Sequence, residues 1–424
     1  MLLIVAMILL IASAVSPFFG LINYTAILYL RPMEVFPALA AYPIARIFIL
    51  PVIAGFLVKA AIDRKRAFLN YAQDKVLLAL LGVIILSFSV GWIPQCLVVL
   101  EQMAKNVVVY ALIVGLLVSE MRIKIFLWAV LIMSAVLGYN VYIEFRAVQA
   151  AQQAYTRIGG FSGGYFGGAG DFAVMMNVAI PIGFYLGVAA RPIVLRPLAL
   201  ALMAACAAGM VSTLARGGGM ITFGAVSAGL AYFGLRSKGA VKKIFSVGIV
   251  ITAIVIIAVY APSAFKDKAG SIANYSGQDT AVSRIEFWKI GIKMFIKSPI
   301  IGVGAGNYPL RYWDFGGWEQ MWRVPHNMYI EALSELGIMG FGCLASLLFL
   351  TFRDGFMTDR LLREKKGTNQ FLSSANQAAL LSLLAYSVGG MFQSLFTYPI
   401  LYVIIGVVVA IKSTAVKTAQ RGTV

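Results

Sequence analysis

Of the 424 residues, 61% are hydrophobic and 12% charged, with a mean hydropathy of +0.87, whereas a soluble domain is about half apolar and a quarter charged. That excludes an ordinary soluble protein and predicts an all-α polytopic membrane protein. Lys and Arg number 35 against 17 Asp and Glu, a net charge of +18; on a membrane chain this excess points to lipid headgroups and anionic substrates, not to nucleic acid.

Residues 1–16, MLLIVAMILLIASAVS, imitate a secretory leader but lack its basic start, and the apolar pattern runs on past Pro17 to Leu30. They read as a retained first helix, kinked at Pro17 and Gly20. Apolar runs near the roughly 20 residues that cross a bilayer predict about twelve spans, at 3–30, 44–62, 75–93, 104–119, 125–143, 171–190, 198–214, 218–235, 244–261, 327–352, 371–395 and 398–412. Short basic loops stay in the cytoplasm. DRKR at 63–66, EMRIK at 120–124, RPIVLR at 191–196, RSKGAVKK at 236–243, the stretch 353–366 and the C-terminal tail all fall on one side. Both termini are then expected to be cytoplasmic, with the Gly-rich stretch 157–170 and the segment 262–325 outside. No internal repeat divides the chain, which reads as one membrane domain, 1–424, with one elaborated outer loop at 262–325. Cys96, Cys206 and Cys343 are scattered, with no C-x-x-C spacing, and read as packing residues.

Four arginines fall at the outer side. Arg31 in LYLRPME and Arg46 in YPIARIF either anchor headgroups or serve a site; Arg46 is the more suggestive, because it enters an apolar run where charge is costly unless paired or functional. Arg216 in LARGGGM stands at a helix end, followed by three glycines whose N–H groups could approach an anion closely. In the outer loop, SRIEFWKIGIKMFIK has helical periodicity up to Pro299. Glu286, Lys289, Lys293 and Lys297 cluster on one side, and Ile285, Trp288, Ile292 and Phe295 on the other. Such a helix suits the outer membrane surface. Arg284 falls on its apolar side, where it either snorkels to water or points over a cavity and needs an anion.

His326, the single histidine, lies between Pro325 and Asn327, a candidate N-cap, with Glu331 and Glu335 following on one helical face. Carboxylates in a spanning helix must face protein or water, so this helix is expected to present imidazole, amide and carboxylate to an outer cavity. An imidazole near its usual pKa of about 6.5 is an effective base, and arginines suit a leaving phosphate. A metal site is hard to assemble from one histidine and scattered acids.

PHNMYIEALSELGIMGF resembles the P-H-N-x-Y-x-E-x-x-x-E-x-G-x-x-G pattern of the bacterial O-antigen ligase and polymerase superfamily, the WaaL and Wzy proteins. SRIEFWKIGIKMFIKSPIIGVGAGNY is similar to that superfamily's arginine, tryptophan, proline and G-x-G-x-x-N/Y series, and GLINYTAILYLRPMEVFP to a branch described as O-glycosylation ligases. The resemblance implies a GT-C-like, inverting, metal-independent glycosyltransferase without cofactor in the bacterial inner membrane. Its active site would face the periplasm, with a glycan on undecaprenyl diphosphate as donor and lipid A-core as acceptor. It places the essential histidine at His326 and diphosphate-binding arginines at Arg284 and Arg216; beside it, the topology offers Arg46 and Arg31 as further candidates, and the helix pattern offers Asn327 and Glu331 in support. An acidic residue expected near the penultimate helix has no counterpart; Gln393 stands nearby. A polymerase or a protein O-oligosaccharyltransferase of the same superfamily remains an alternative acceptor class. A polysaccharide-lipid transporter is the alternative of another class; it would place its charges near the midplane and show repeats, whereas the charges singled out here lie at the outer face and no repeat divides the chain.

Overall fold

In the computed structural model, residues 2–36, 39, 42–62, 68–151, 167–236, 243, 248, 280–317, 323–364 and 370–421 are described. Among them ten helices are long and apolar enough to cross a membrane, each overlapping an expected span. The protein is an all-α, multi-pass membrane protein. Apart from residue 248 the expected span 244–261, and with it the outer loop before Thr280 and the Gly-rich residues 157–166, lie outside the described residues.

In chain order the helices are α1 (Leu2–Val15), α2 (Pro17–Leu30), α3 (Pro32–Val35), α4 (Ile44–Ile62), α5 (Ala72–Leu86), α6 (Ile93–Leu116), α7 (Glu120–Ala150), α8 (Ala169–Ala189), α9 (Leu195–Ser212), α10 (Thr222–Leu235), α11 (Thr280–Lys297), α12 (Tyr308–Arg311), α13 (Met328–Glu364), α14 (Gln370–Gly389) and α15 (Pro399–Arg421). α8 is buried along most of its length and packs against α7, α9 and α14. Basic loops assigned to one side do gather at one end of the bundle: Lys124 Nζ donates to Arg191 O at 3.1 Å, and Arg363 to Arg236 O at 3.4 Å. Near that end the buried Asp354 accepts from Gln73 (3.0 Å), Arg353 (3.0 Å) and Lys412 (2.9 Å), as a carboxylate in a spanning helix requires.

The first expected span is not one kinked helix. α1 and α2 fold back on each other: Asn23 Nδ2 reaches Ser13 Oγ at 3.1 Å and Leu9 O at 3.5 Å, although 14 residues of continuous helix would separate Asn23 from Leu9 by about 21 Å. Pro17 has no N–H with which to continue α1 and sits instead at the start of α2, which Ser16 caps through the Phe19 N–H at 3.4 Å. The reversal corrects the straight path expected of the first span.

The loop helix α11 also departs from expectation. Its buried residues are Phe287, Ile290 and Met294, while Ile285 and Ile292 are exposed. The contact face is set by Gly291, which contributes nothing to a hydrophobic pattern but lets α11 approach α13 beside Ser334 and so close to Ile330 that a Cβ would collide with it. Since Phe287 lies by His326, Gly291 by Ile330 and Pro299 by Ile338, α11 runs alongside the first turns of α13 instead of lying flat on the membrane.

Beyond α11 the chain inserts into a break in α13. Gly337 has φ 61° and ψ −159°, which interrupts the helical ladder and frees backbone groups on both sides. The 299–304 segment takes them up: Val303 N–H donates to Ser334 O and Gly304 N–H to Glu335 O, both at 2.9 Å, and Pro299 O accepts from Ile338 N–H at 2.8 Å. Irregular backbone within a spanning helix is tolerated where it is satisfied in this way. Gly302 has φ +68°, and a Cβ there would strike the Glu335 carbonyl. Gly302→Ala is therefore expected to destabilise the protein by about 1–3 kcal/mol or more, read as a lower unfolding temperature in detergent. Gly82→Ala, whose Cβ meets nothing within 4 Å, is the control that should stay near wild type.

Candidate functional site

At the end of the bundle opposite the basic loops, the turn into α13 is held from three directions. Trp288 Nε1 donates to Pro325 O at 2.9 Å, Met328 N–H to Gly390 O at 2.7 Å, and Asn327 Oδ1 accepts from the N–H groups of Tyr329 (3.0 Å) and Ile330 (3.2 Å). Asn327 is thus the N-cap that was expected, with its amide oxygen committed to the helix. His326, just before it, has a left-handed backbone at φ 48°, which is uncommon outside glycine. The surrounding bonds hold it there with its ring 6.3 Å from that of Phe287.

His326 shares a side-chain hydrogen bond with Gln393 and lies within electrostatic reach of Arg284 and Arg323. Burial, and then the two cations, push its pKa down to about 4, so the expectation of an unperturbed imidazole is corrected: the ring is neutral throughout the physiological range. Arg284 is directed inwards and is half-buried, because it stands next to Gly291 on the face that α11 turns to the bundle. It lies within electrostatic reach of Asp171 in the first turn of α8, whose carboxyl shares a hydrogen bond with Tyr398.

Arg216 opens a wide π turn, Arg216–Ile221, ahead of α10. The turn is packed against the same residues: a Cβ on Gly217 would meet the ring of Phe392, one on Gly218 the backbone of Gly170, and one on Gly170 the side chain of Gln393. Arg216 itself is exposed. His326, Arg284, Gln393 and the Arg216 turn are therefore brought to one place, although 110 positions separate Arg216 from His326 in the sequence.

The two glutamates differ in what they hold. Glu335 accepts from Gly306 N–H (2.7 Å) and Tyr308 N–H (3.2 Å), so its carboxylate anchors the inserted loop instead of facing a cavity. Glu331 accepts from Phe396 N–H and lies near Asp171, tying α13 to the turn before α15. Arg46 is placed elsewhere. It pairs with Glu101 at 2.8 Å, which Lys105 also contacts at 2.7 Å, on a largely apolar cavity of about 510 Å³ lined by Tyr24, Leu28, Ile49, Asn106 and Pro399 among others. Arg31 ends α2 with φ 44°, its N–H on Ile27 O at 3.2 Å. The cavity meets the histidine site through one turn: Asn106 Nδ2 donates to Thr397 O at 2.7 Å, next to the Tyr398 that bonds Asp171.

Sequence reasoning missed Asp171 and Arg323. Asp171 follows a stretch in which glycine dominates, and nothing local marks it as the partner of a loop arginine over 100 positions later. Among the described residues, no three His, Cys, Asp or Glu side chains gather as metal ligands.

Residues 198–345 match the family O-antigen ligase, a segment that contains Arg216, Arg284 and His326. Over that segment the chain is similar to the O-antigen ligase family. No curated protein matches it. Within that segment the inserted loop explains the spacing of the glycine series: Gly302, Gly304 and Gly306 all have positive φ. Asn307 fastens the series to the α5–α6 turn, accepting from Trp92 N–H at 2.9 Å.

Proposed function

We propose that the protein is an O-antigen ligase, an inverting glycosyltransferase that moves a glycan from undecaprenyl diphosphate to the lipid A-core at the periplasmic face of the inner membrane. The observation that supports this reading is the convergence of a neutral imidazole with the Arg284 guanidinium and the Arg216 turn at one end of a membrane bundle. The acceptor hydroxyl gives its proton to His326 as its oxygen bonds to the anomeric carbon. The bond from that carbon to the diphosphate breaks on the opposite face, and the lipid diphosphate leaves with the electron pair. Arg284 and Arg216 stabilise the charge that develops on it, most effectively where water is scarce.

Donor binding also prepares the base. A diphosphate beside Arg284 offsets the positive field that depresses the imidazole, raising its pKa towards the range where proton abstraction is efficient. Asp171, which lies within electrostatic reach of Arg284, yields that role to the donor. Arg46, already matched by Glu101, is assigned with its apolar cavity to the lipid portion of a substrate.

Purified protein in proteoliposomes, given lipid-linked glycan and lipid A-core, is expected to form the joined product without any ion gradient. It is expected to keep doing so in EDTA, since arginines supply the charge for which other enzymes use a divalent ion. Activity lost in EDTA and restored by a divalent cation would refute the metal-independent mechanism. Growth of lipid-linked polymer with no transfer to lipid A-core would replace the ligase by a polymerase.

A further inference from the structure

We infer that Asn177, in the middle of α8, is the positioning residue that holds Arg216 against the donor; the inference rests on the reading of Arg216 as a diphosphate ligand. The turn Arg216–Ile221 is wide, with both Gly219 N–H and Met220 N–H on Ala215 O at 3.1 and 3.2 Å. Its three consecutive glycines have no side chains to restrain them and the largest backbone freedom to lose. Something outside the turn must fix it.

Asn177 does so. Its side chain is fully buried, and Nδ2 donates to Gly218 O at 3.2 Å, Gly219 O at 3.0 Å and Ala173 O at 3.1 Å. From the other side, Thr222 Oγ1 donates to Gly217 O at 3.0 Å. Three successive glycine carbonyls are thus each held by a side-chain donor. A peptide plane fixed at its carbonyl is fixed at its N–H as well, so these bonds orient both the turn and the arginine that opens it. A single misplaced ligand lowers affinity even when its charge is intact. Asn177 touches no reacting atom in this arrangement; its effect passes through the turn to Arg216.

A double-mutant cycle separates this role from packing. Asn177→Leu removes the donor at similar volume, and Thr222→Val removes the hydroxyl with little change in shape. Each is made in the full chain, alone and with Arg216→Ala, and undecaprenyl diphosphate binding is measured on the purified proteins. Both are expected to weaken binding by about five- to tenfold in the wild-type background and by less than about twofold once Arg216 is absent, because contacts that act through one residue are not additive. The same loss in both backgrounds, or no loss in either, overturns the inference. If Asn177→Leu does not accumulate, Thr222→Val decides alone. An Arg216→Ala protein that binds the donor like wild type overturns the underlying reading of Arg216. Weak binding by Arg216→Ala with unaffected Asn177→Leu and Thr222→Val overturns only the positioning role.

Discussion

His326→Ala is expected to insert and accumulate like wild type and to lose transfer by about 10²- to 10⁴-fold, the usual contribution of a positioned general base. Folding is spared because the bonds that build this corner belong to its neighbours: the Asn327 cap, Trp288 on Pro325 and Met328 on Gly390 all survive. A sharper variant is His326→Gly. At φ 48° a side chain at this position is strained by roughly 1–2 kcal/mol, which glycine escapes. The glycine variant should therefore be at least as stable as wild type and still fail to transfer. Thermal unfolding and turnover measured on that one protein separate the backbone from the imidazole. A stable His326→Gly that ligates at the wild-type rate would show the ring to be structural.

The spans and the histidine site differ in how far they could be read from the residues. Hydropathy reports what lipid demands of each segment separately, so ten spans lie where apolar runs put them. Asn327 was legible for a similar reason, since a cap is a local event. What could not be read locally is what one segment does to another. Gly291 sets the face of α11 by its lack of a side chain, and no hydrophobic pattern weighs an absence. The insertion of 299–304 into the break at Gly337 is a pairing of backbones, blind to side-chain type except at the glycines. Glu335 looks like Glu331 on a helical wheel, yet it serves the inserted loop because Gly306 and Tyr308 come to it. The pKa of His326 depends on Arg284 from another helix. The fold-back at Pro17 was visible as a kink but not in its extent, since a proline ends a helix without stating the angle that follows.

Arg284 makes two separable contributions, charge and shape, and its variants should divide them. Arg284→Ala is expected to lower turnover by about 10²- to 10³-fold, the usual loss when one donor to a developing oxyanion is removed. Arg284→Lys keeps the charge but not the planar pair of N–H groups that matches phosphate oxygens, and should also fall well below wild type. The pH dependence then tells them apart. In the free wild-type enzyme His326 is pushed down to about 4, by burial first and Arg284 second, so kcat/KM should hold as pH falls and decline only near pH 4, where the base becomes protonated. Removing the positive charge raises the imidazole pKa, so the acid limb of Arg284→Ala should move upwards, short of the ordinary value because burial remains. Arg284→Lys should leave that limb close to wild type while the plateau drops. An Arg284→Ala enzyme with a lowered plateau and an unmoved acid limb would mean that Arg284 serves the phosphate without facing the base. Loss of neither would remove Arg284 from the site.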